Sequence, residues 1–523
     1  MLNLLNRSNI IIFILLFLAT IAFYLPIIIN PSILLNRGND LQEFYWPIFY
    51  FIKEQILQNH TLPLWNNMFF SGTPLLSDPQ SFLFYPPNII FLFLPIDQAF
   101  ITSFILHSFF AGVGVFITAK AGLGFSQMSS IFTAILYIVF PRTAGFLEAG
   151  HFGFVATTTW LPYLLFAVIN LIKSPNIRWS IVFAISLSGL FFTFTIVFIV
   201  AAAFASIILF VVGSYLLLEK HFLKTLIFLI FGIIFTVGLT AITLFPQIEW
   251  LPQTTRLILL KDRDVYPKWN GKIEFIKAIF PYVLGEKGFV DKLDNEKWIA
   301  TGIFISFLAL IGLFKLKNRF KLLIICLVSG TILISLNNIS PLQSLLLKSD
   351  WYVLGRVSTR IWFIIILSLV FLSGFGFETL QRIRLKKLSI ILAVLAIGEL
   401  LALSWIRLER PIPPQKDIVP ASLFEFLKSD TEQFRVFCVN RCLSQKDVAI
   451  YDLQTIEGYG TIYQKNYYDY FIQLSQVFWD KYSSTLPPIS IYKFREIQPI
   501  ASELSGYNVK YVISPHQIKD KDF

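Results

Sequence analysis

The chain has 523 residues, of which 55% are hydrophobic and only 14% are charged. Soluble domains carry roughly 25% charged residues, so this composition excludes an ordinary soluble protein and predicts a polytopic membrane protein. The formal net charge is +11, but Lys and Arg occur in short clusters between apolar runs. That distribution is typical of cytoplasmic loops, and we expect no nucleic-acid partner.

The apolar runs predict the spanning helices. Because a spanning helix needs roughly 20 mostly apolar residues, we expect about eleven of them in an α-helical polytopic fold. The first run has no small-residue cleavage pattern, so it is interpreted as an uncleaved helix. The predicted helices lie near residues 10–30, 97–119, 127–141, 154–172, 178–218 (two helices), 225–245, 298–314, 322–336, 359–380 and 388–406.

The basic clusters predict the orientation. A cytoplasmic N-terminus places every short basic connection on the cytoplasmic side, as the positive-inside rule requires. This assignment depends on two helices within 178–218, joined by a tight turn near Phe191 to Thr195. The basic connections are Lys120, Lys173/Arg178, Lys220/Lys224, Lys315 to Lys321, and Arg382 to Lys387. The loops 31–88, 142–153, 246–297 and 337–358 then face outward.

The C-terminal tail differs from the membrane module 1–406. After the stiff linker PIPPQ, it contains the helix-like SLFEFLKSD, the strand-like FRVFCVN, a Tyr-rich helical stretch and the strand-like NVKYVIS. Residues 407–523 are therefore predicted to form a small extracytoplasmic α/β domain. Cys438 and Cys442 could form a disulfide, bind a metal weakly or remain unpaired thiols.

Asp40 and Glu43 stand at the start of the first outer loop, before an amphipathic helical run from Leu41 to Leu57. A partly desolvated Asp40 could take a proton from an acceptor hydroxyl. Asp40 followed by Glu43 also fits a capping box at a helix start. The two roles are compatible.

Asp78 and Gln80 lie in the Pro-rich stretch LLSDPQSFLFYPPN of the same loop. The prolines exclude a regular helix here. The aromatic residues beside them could form a platform for a sugar or an isoprenoid. The alternative is a rigid re-entry to the second helix, anchored by aromatic residues at the membrane surface.

Glu148 and His151 form the pattern EAGH in the second outer loop, near Arg142. They could bind a metal or a phosphate or transfer protons. One Glu and one His make half a metal site at best, so no cofactor is certain and a divalent cation is one alternative. Within the last predicted helix, Glu399 should face the protein interior or a cavity, with Arg407 or a polar loop as its candidate partner.

Arg256, Arg356 and Arg360 are the outer cationic candidates. Guanidinium groups bind phosphate in a bidentate manner, so these residues could hold the phosphate of a lipid. Arg356 and Arg360 are four residues apart and could share one helical face. Ordinary snorkelling at a helix end is the alternative for each.

The loop GNDLQEFYWP…LPLWNNMFFSGTPLLSDPQSFLFYPPN resembles the first outer loop of the bacterial YfhO-like membrane proteins, which are placed among the GT-C glycosyltransferases. Six further segments follow in the order expected for that family. They are EAGH, LFPQIEWLPQTTR, ATGIFISFLALIGL, GRVSTR, IEGYGTIYQKNYYDY and LSGYNVKYVIS.

The resemblance implies a GT-C-like transferase in the bacterial cytoplasmic membrane. It would move a sugar from a polyprenyl-phosphate carrier to an envelope glycan, polymer or protein acceptor on the outer face. A donor-synthesising membrane enzyme and a flippase would be partners. Asp40 matches the catalytic acidic position of GT-C enzymes. The residues expected to bind substrates are Glu43, Asp78, Gln80, Glu148, His151, Arg256, Arg356 and Arg360.

The alternative function is non-catalytic. The chain could be a transporter of lipid-linked envelope precursors or a scaffold for their assembly. A transporter more often has internal repeats and broken helices with buried charges, and the sequence has no clear repeat. One outward-facing pocket lined by Asp40, Glu148 and the arginines and reachable from the lipid would favour the enzyme. An Asp40 that points away from any cavity would favour the scaffold.

Overall fold

The computed structural model describes residues 7–193, 222–259, 265–286, 288–413, 419–475, 478–479, 482–488 and 497–523. The chain divides into two compact units. Unit 1 consists of Met1–Leu34, Ile101–Ala241 and Val265–Pro411. Unit 2 consists of Leu35–Phe100, Ile242–Asp264 and Ile412–Phe523.

Unit 1 is built from helices, two of which continue into sequence assigned to unit 2. The α-helices are Arg7–Ile29, Ile96–Ile117, Gln127–Ile138, Pro141–Ala149, Phe152–Lys173, Ile177–Phe192, Phe222–Trp250, Lys272–Ile279, Phe289–Lys292, Ile303–Lys315, Asn318–Ser335, Gln343–Leu346, Asp350–Gly355, Phe363–Arg382 and Lys386–Leu408. Short 3-10 or π segments are Thr118–Gly122, Asn295–Lys297, Asn337–Ile339 and Ser358–Trp362.

Seven helices of the described chain are long and apolar enough to cross a membrane, so the chain is a multi-pass membrane protein. The prediction of about eleven spans is not confirmed. Three further apolar helices are shorter than a full span, and residues 194–221, which include most of the second helix predicted within 178–218, lie outside the described residues. The seven are Asn9–Ile29, Ile96–Gly122, Gln127–Ala149, Phe152–Lys173, Phe222–Gln253, Ser358–Arg382 and Lys386–Leu408.

The predicted outer loop 142–153 is mostly helical in the structure. The helix Pro141–Ala149 ends at Gly150, which has the left-handed φ of 74°. The amide of Gly150 donates to Leu147 O at 3.0 Å and that of His151 donates to Phe146 O at 2.8 Å. This pattern is a Schellman motif, so EAGH is a helix end followed directly by another helix.

Two helices of unit 1 approach each other backbone to backbone. A Cβ on Gly312 would lie 2.1 Å from Leu372 O, and one on Gly376 would lie 2.0 Å from Leu308 O. The helices Ile303–Lys315 and Phe363–Arg382 can pack this closely only because neither glycine has a side chain. Small residues serve the same purpose generally in membrane helix pairs.

Glu399 points at a protein partner, as expected for a carboxylate in an apolar helix. Its two carboxylate oxygens accept hydrogen bonds from Ile303 N at 2.8 Å and Phe304 N at 3.0 Å. These amides begin a helix and have no partner within it. The suggested pairing with Arg407 is wrong, because the Arg407 guanidinium forms an ion pair with Glu148.

In its described residues, unit 2 combines short helices with three two-stranded sheets. The short helix Ser32–Leu35 spans the sequence boundary of the two units. The helical segments within unit 2 are Leu41–Tyr45 (π), Trp46–Leu57, Pro86–Ile89 (3-10), Ile90–Phe93, Leu251–Gln253 (3-10), Thr255–Leu259, Ala421–Ser429, Gln445–Ile450, Lys465–Ser475 and Ala501–Ser505. Trp65–Asn66 pairs antiparallel with Thr73–Pro74, Gly458–Tyr459 antiparallel with Thr485–Leu486, and Arg435–Cys438 parallel with Val509–Ile513.

The four tail elements expected from the sequence are present. They are Ala421–Ser429, Arg435–Cys438, Lys465–Ser475 and Val509–Ile513. The two strands, Arg435–Cys438 and Val509–Ile513, pair in parallel, and the helix Lys465–Ser475 lies between them in sequence. The compact unit that contains the tail also includes residues of the first loop, and a separate domain over 407–523 stays a prediction.

The glycine contact in unit 1 gives a testable prediction. Gly376→Ala should destabilise the folded protein by about 1–3 kcal/mol, because the new methyl group overlaps a backbone carbonyl. Gly398→Ala is the matched control, since a Cβ there meets no atom within 4 Å and alanine favours a helix over glycine by about 1 kcal/mol. The measurement is the melting temperature of each variant in detergent. Equal melting temperatures would contradict the packing argument.

Candidate functional site

The first loop begins with a cap that does not use Asp40. Asn39 Oδ1 accepts hydrogen bonds from Leu41 N at 3.1 Å and Gln42 N at 3.3 Å, and the Gln42 side chain accepts one from Gly38 N at 2.9 Å. Asn39 therefore caps the helix start, one residue before the expected position. The Gln42 side chain reaches back to Gly38 N, the amide that precedes the one used in a capping box. The suggestion that Asp40 forms the cap is therefore wrong, and its carboxylate makes no cap bond.

The Asp40 carboxylate instead contacts the tail. The hydroxyl of Tyr459 donates a hydrogen bond to Asp40 Oδ1. Burial, together with the neighbouring Asp40 charge, raises the pKa of Tyr459 well above its ordinary value of 10. The phenol therefore stays protonated at neutral pH and remains a donor. The guanidinium carbon of Arg441 lies 5.5 Å from the centre of the Tyr459 ring.

Glu43 joins the same loop to the tail. Its Oε2 lies 3.4 Å from Arg441 Nη2, and its carbonyl oxygen accepts a hydrogen bond from Gln445 Nε2 at 2.7 Å. Gln445 Oε1 in turn accepts one from the Tyr459 amide. Burial raises the pKa of Glu43, and Arg441 opposes this shift. Glu43 thus connects to Tyr459 through two tail side chains.

A disulfide holds the turn that carries Arg441. Cys438 and Cys442 are bonded, with their Cα atoms 5.8 Å apart, which selects one of the three alternatives left open by the sequence. The Cys438 amide donates to Glu457 Oε1 at 3.0 Å. Glu457 is only 2% exposed, and this burial raises its pKa to about 8.

The stretch 457–463, which we call the tail segment, lies against Phe70 of the first loop. A Cβ on Gly458 would lie 2.8 Å from the Phe70 ring, so glycine permits the close approach. The ring of Tyr463 stacks on Phe70 with centroids 4.8 Å apart. Glu457 O also accepts a hydrogen bond from Phe70 N at 3.4 Å.

Asp78 shapes the turn that presents Gln80. Asp78 Oδ1 accepts a hydrogen bond from Gln80 N at 2.8 Å across Pro79, the pattern of an Asx turn. Burial raises the pKa of Asp78 to about 7, with the Gln80 amide opposing the shift. The Gln80 side chain meets the tail segment through a hydrogen bond from Thr461 Oγ1 to Gln80 Oε1.

Arg256 lies beside the tail segment as well. It is 9% exposed, and its guanidinium carbon is 6.0 Å from the centre of the Tyr482 ring. The Tyr482 hydroxyl donates to Thr461 O at 2.7 Å. The preceding residue, Thr255, donates its amide to Tyr463 O at 2.9 Å. Arg256 is therefore held close to the same seven residues as Asp40 and Gln80.

These contacts define the candidate site, which we call the Asp40 site. The structure groups four of the predicted residues around the tail segment and adds two that sequence reasoning missed. Tyr459 and Arg441 could have been suspected from the Gly-Tyr-Gly pattern and from the position of an arginine between two cysteines. The Asp40 site consists of Asp40, Glu43, Gln80, Arg256, Arg441 and Tyr459.

Apart from Asp78, which stays in unit 2, the remaining predicted residues lie in unit 1. There Glu296 is the centre of a buried ion cluster. Its carboxylate lies 3.1 Å from Arg142 Nη2, 2.5 Å from Arg360 Nη2 and 3.9 Å from His151 Nδ1. Burial alone would raise the pKa of Glu296, but Arg360, His151 and Arg142 outweigh it and lower the pKa to about 2. Glu296 and its pairing with Arg142 were not predicted.

Glu148 belongs to a second ion cluster of unit 1. It pairs with Arg407, which is completely buried, and with Arg410 Nη1 at 2.8 Å. Arg410 also donates to Leu293 O at 3.2 Å. Arg407 lies in the last turn of the helix Lys386–Leu408 and Arg410 follows that helix, more than 250 residues after Glu148 in sequence. Local spacing could therefore not reveal these partners.

Arg356 and Arg360 do not share a helical face, contrary to expectation. Arg356 has a φ of 59° and follows the end of the Asp350–Gly355 helix. Its carbonyl accepts a hydrogen bond from Tyr266 N at 2.7 Å. Arg360 lies in the next segment, Ser358–Trp362. The i, i+4 geometry requires continuous helix, and the turn at Arg356 breaks it.

The divalent cation suggested by the sequence stays a prediction. Among the residues that the structure describes, no three His, Cys, Asp or Glu side chains converge on a point that could hold a metal ion. Of the half-site suggested by the sequence, Glu148 pairs with Arg407 and Arg410, and His151 lies near Glu296.

No protein family and no curated protein matches the chain by sequence, so membership of the YfhO-like family stays a prediction. Solved structures do match. For the arabinofuranosyltransferase AftD from Mycobacteria the TM-score is 0.50 at 12% identity, over 83% of this chain and 29% of that chain. For the oligosaccharyltransferase of Archaeoglobus fulgidus in the apo form the TM-score is 0.51 at 11% identity, over 96% of this chain and 69% of that chain.

The oligosaccharyltransferase AglB from the same archaeon, in complex with an inhibitory peptide and a dolichol-phosphate, gives a TM-score of 0.50 at 11% identity over 97% of this chain and 69% of that one. These neighbours are glycosyltransferases of the GT-C fold. The predicted GT-C-like fold is thereby confirmed. At such low identity the likeness establishes the fold alone, and this chain spans less than a third of the length of AftD.

The Glu296 cluster gives a stability prediction. Glu296→Gln should destabilise the protein by about 3–5 kcal/mol, because removing one member of a buried ion pair leaves its partners uncompensated. The control is Glu286→Gln, whose exposed carboxylate pairs with Lys277 at 2.6 Å and should matter little. Thermal unfolding in detergent measures both. A Glu296 variant as stable as the control would contradict the assigned role.

Glu457 gives a prediction about pH. The folded protein keeps this carboxyl protonated up to a pKa of about 8, against an ordinary value of 4.5. The folded state therefore binds more protons in this window, and the free energy of unfolding falls as pH rises through it. Glu457→Gln cannot ionise, so its melting temperature should fall less than that of the wild type between pH 5 and 8. Each unit of pKa shift that the substitution removes corresponds to about 1.4 kcal/mol in the free energy of unfolding.

The control for this experiment is Glu503→Gln, an exposed position of the same unit. That variant should follow the pH dependence of the wild type. If Glu457→Gln follows it too, Glu457 is not the group responsible for the loss of stability.

Proposed function

We propose that the chain is a membrane glycosyltransferase that moves a sugar from a polyprenyl-phosphate donor to a hydroxyl of a glycan, polymer or protein acceptor. The observation that carries this proposal is the Asp40 site. There the tail segment binds the Asp40 carboxylate of the first loop and also the amide of Thr255, next to Arg256, whose guanidinium lies against Tyr482. A base and a phosphate-binding cation are the two groups that such a transfer needs.

The GT-C fold supports the proposal independently of the site. One of the structural neighbours was solved with a dolichol-phosphate and another is an arabinofuranosyltransferase. A polyprenyl-phosphate-linked sugar is the donor class that matches both the fold and the membrane location. We place the site on the outer face of the bacterial cytoplasmic membrane, following the distribution of basic connections.

The proposed reaction is a transfer at the anomeric carbon. As the acceptor hydroxyl attacks, Asp40 takes its proton, a bond forms between the acceptor oxygen and the anomeric carbon, and the bond from that carbon to the phosphate oxygen breaks. The polyprenyl phosphate leaves with the bonding electrons. The Arg256 guanidinium stabilises that negative charge, because it is buried against Tyr482 where charge interactions are strong.

The other residues of the Asp40 site bind and orient the reactants. Glu43 and Gln80 present polar side chains from the first loop, and Asp78 sets the turn that carries Gln80. The substrate-binding roles of Glu148, His151, Arg356 and Arg360 stay predictions. Of these, Arg360, Glu148 and His151 belong to the ion clusters of unit 1.

The test is a transfer assay with the full-length protein in lipid vesicles. A panel of synthetic polyprenyl-phosphate sugars is supplied, and release of polyprenyl phosphate is measured. Asp40→Asn should reduce the rate by about 100-fold or more, because loss of a general base typically costs that much. Asparagine keeps the shape of the side chain and an oxygen that can accept from Tyr459.

Asp97→Asn is the matched control. Asp97 accepts a hydrogen bond from Trp46 Nε1 at 2.6 Å, which asparagine preserves, and this variant should transfer at the wild-type rate. An Asp40→Asn protein that inserts normally and transfers sugar as fast as this control would remove Asp40 from the mechanism. A wild-type protein that binds donors but releases no polyprenyl phosphate from any of them would favour the transporter or scaffold alternative.

A further inference from the structure

Tyr459 is the tail residue in direct contact with the carboxylate of Asp40. Its hydroxyl donates to Asp40 Oδ1. Its ring packs near Phe44 of the first loop, with centroids 6.5 Å apart, and near the guanidinium of Arg441. Its backbone is fixed by strand pairing and by the hydrogen bond that its amide donates to Gln445 Oε1. The hydroxyl therefore has a defined position relative to Asp40.

We propose that Tyr459 is a positioning residue for Asp40: its hydroxyl holds Oδ1 and keeps the carboxylate ionised, so that Oδ2 takes the proton of the acceptor. This inference rests on the proposed function, in which Asp40 is the base. It assigns the tail a part in the chemistry that no motif of the first loop supplies.

The direction of the effect follows from hydrogen bonding to the charged form. A donor that binds a carboxylate stabilises the ionised state and lowers its proton affinity. Tyr459 can act in this way throughout the neutral range, because burial and the charge of Asp40 keep its own pKa far above 7. The phenol remains a donor while Asp40 alternates between its charged and protonated forms.

Other charged or titratable groups also face this pair. Glu43 lies on the same segment as Asp40, Arg441 lies over the Tyr459 ring, Tyr482 is close enough to Tyr459 to raise its pKa, and Asp447 acts on Glu43. Conservative removal of the Tyr459 hydroxyl leaves all of these in place. A change in the pH profile would therefore be due to the hydroxyl.

Tyr459→Phe is the decisive variant, because phenylalanine keeps the ring against Phe44 and Arg441 and removes only the donor. We expect kcat to fall about 10- to 100-fold, within the range for misplacing a general base, with KM for the donor unchanged. The acidic limb of the kcat profile should move to higher pH by roughly 0.5–1 unit, since Asp40 loses a bond that favours its charged form.

Tyr463→Phe is the matched control. It lies in the same tail segment and also loses one hydroxyl hydrogen bond, to Ser483 O at 2.9 Å. If Tyr459 had only a structural role, both variants would lower the melting temperature and leave the pH profile unchanged. We expect the shift of the acidic limb in the Tyr459 variant alone.

The outcomes separate this inference from the proposed function. If Asp40→Asn abolishes transfer but Tyr459→Phe retains the wild-type rate and pH profile, the role of Tyr459 is overturned and the function stands. If no donor is turned over by the wild type, the function fails and the melting temperatures of Asp40→Ala, Tyr459→Phe and the double variant remain decisive. If the melting-temperature losses of the two single variants add up in the double variant, the contact between Asp40 and Tyr459 is overturned. A loss in the double variant that differs from that sum would support the contact.

Discussion

Hydrogen bonds from one short stretch, residues 457–463, satisfy polar groups of three parts of unit 2 that are far apart in sequence. Tyr459 binds Asp40, Thr461 binds Gln80, and Tyr463 O accepts the amide of Thr255. Because buried polar groups are costly without partners, each of these bonds constrains the segment that supplies the partner. The geometry of the Asp40 site depends on this stretch more than on any element of the first loop itself.

In unit 1, buried carboxylates find their partners in ion pairs with arginines. Glu296 and Glu148 are each paired with guanidinium groups, which balance the negative charge of these carboxylates in the protein interior. In a helical membrane protein such clusters join helices that have little other means of specific recognition, since their apolar faces resemble one another. The close glycine contact at Gly312 and Gly376 is a second device of this kind, acting through shape.

The positions of the helices were predictable because apolar runs and basic clusters are local features of the sequence. The number of full spans was not, since helices such as Ile303–Lys315 are apolar yet shorter than a full span. Asp40 could be selected by residue type and location, but its partner Tyr459 is 419 residues away in sequence and no periodicity connects them. The cap was misplaced by one residue because Asn39 and Asp40 are almost equally good N-cap residues.

The distance along the chain between Asp40 and Tyr459 also orders the events of biosynthesis. At typical synthesis rates of 5 to 20 residues per second, roughly 20 to 80 s pass between the two residues leaving the ribosome. During that interval the first loop exists without the tail segment that fixes its carboxylate. The site is therefore completed only after the tail has been made, and a nascent chain already in the membrane has no assembled Asp40 site.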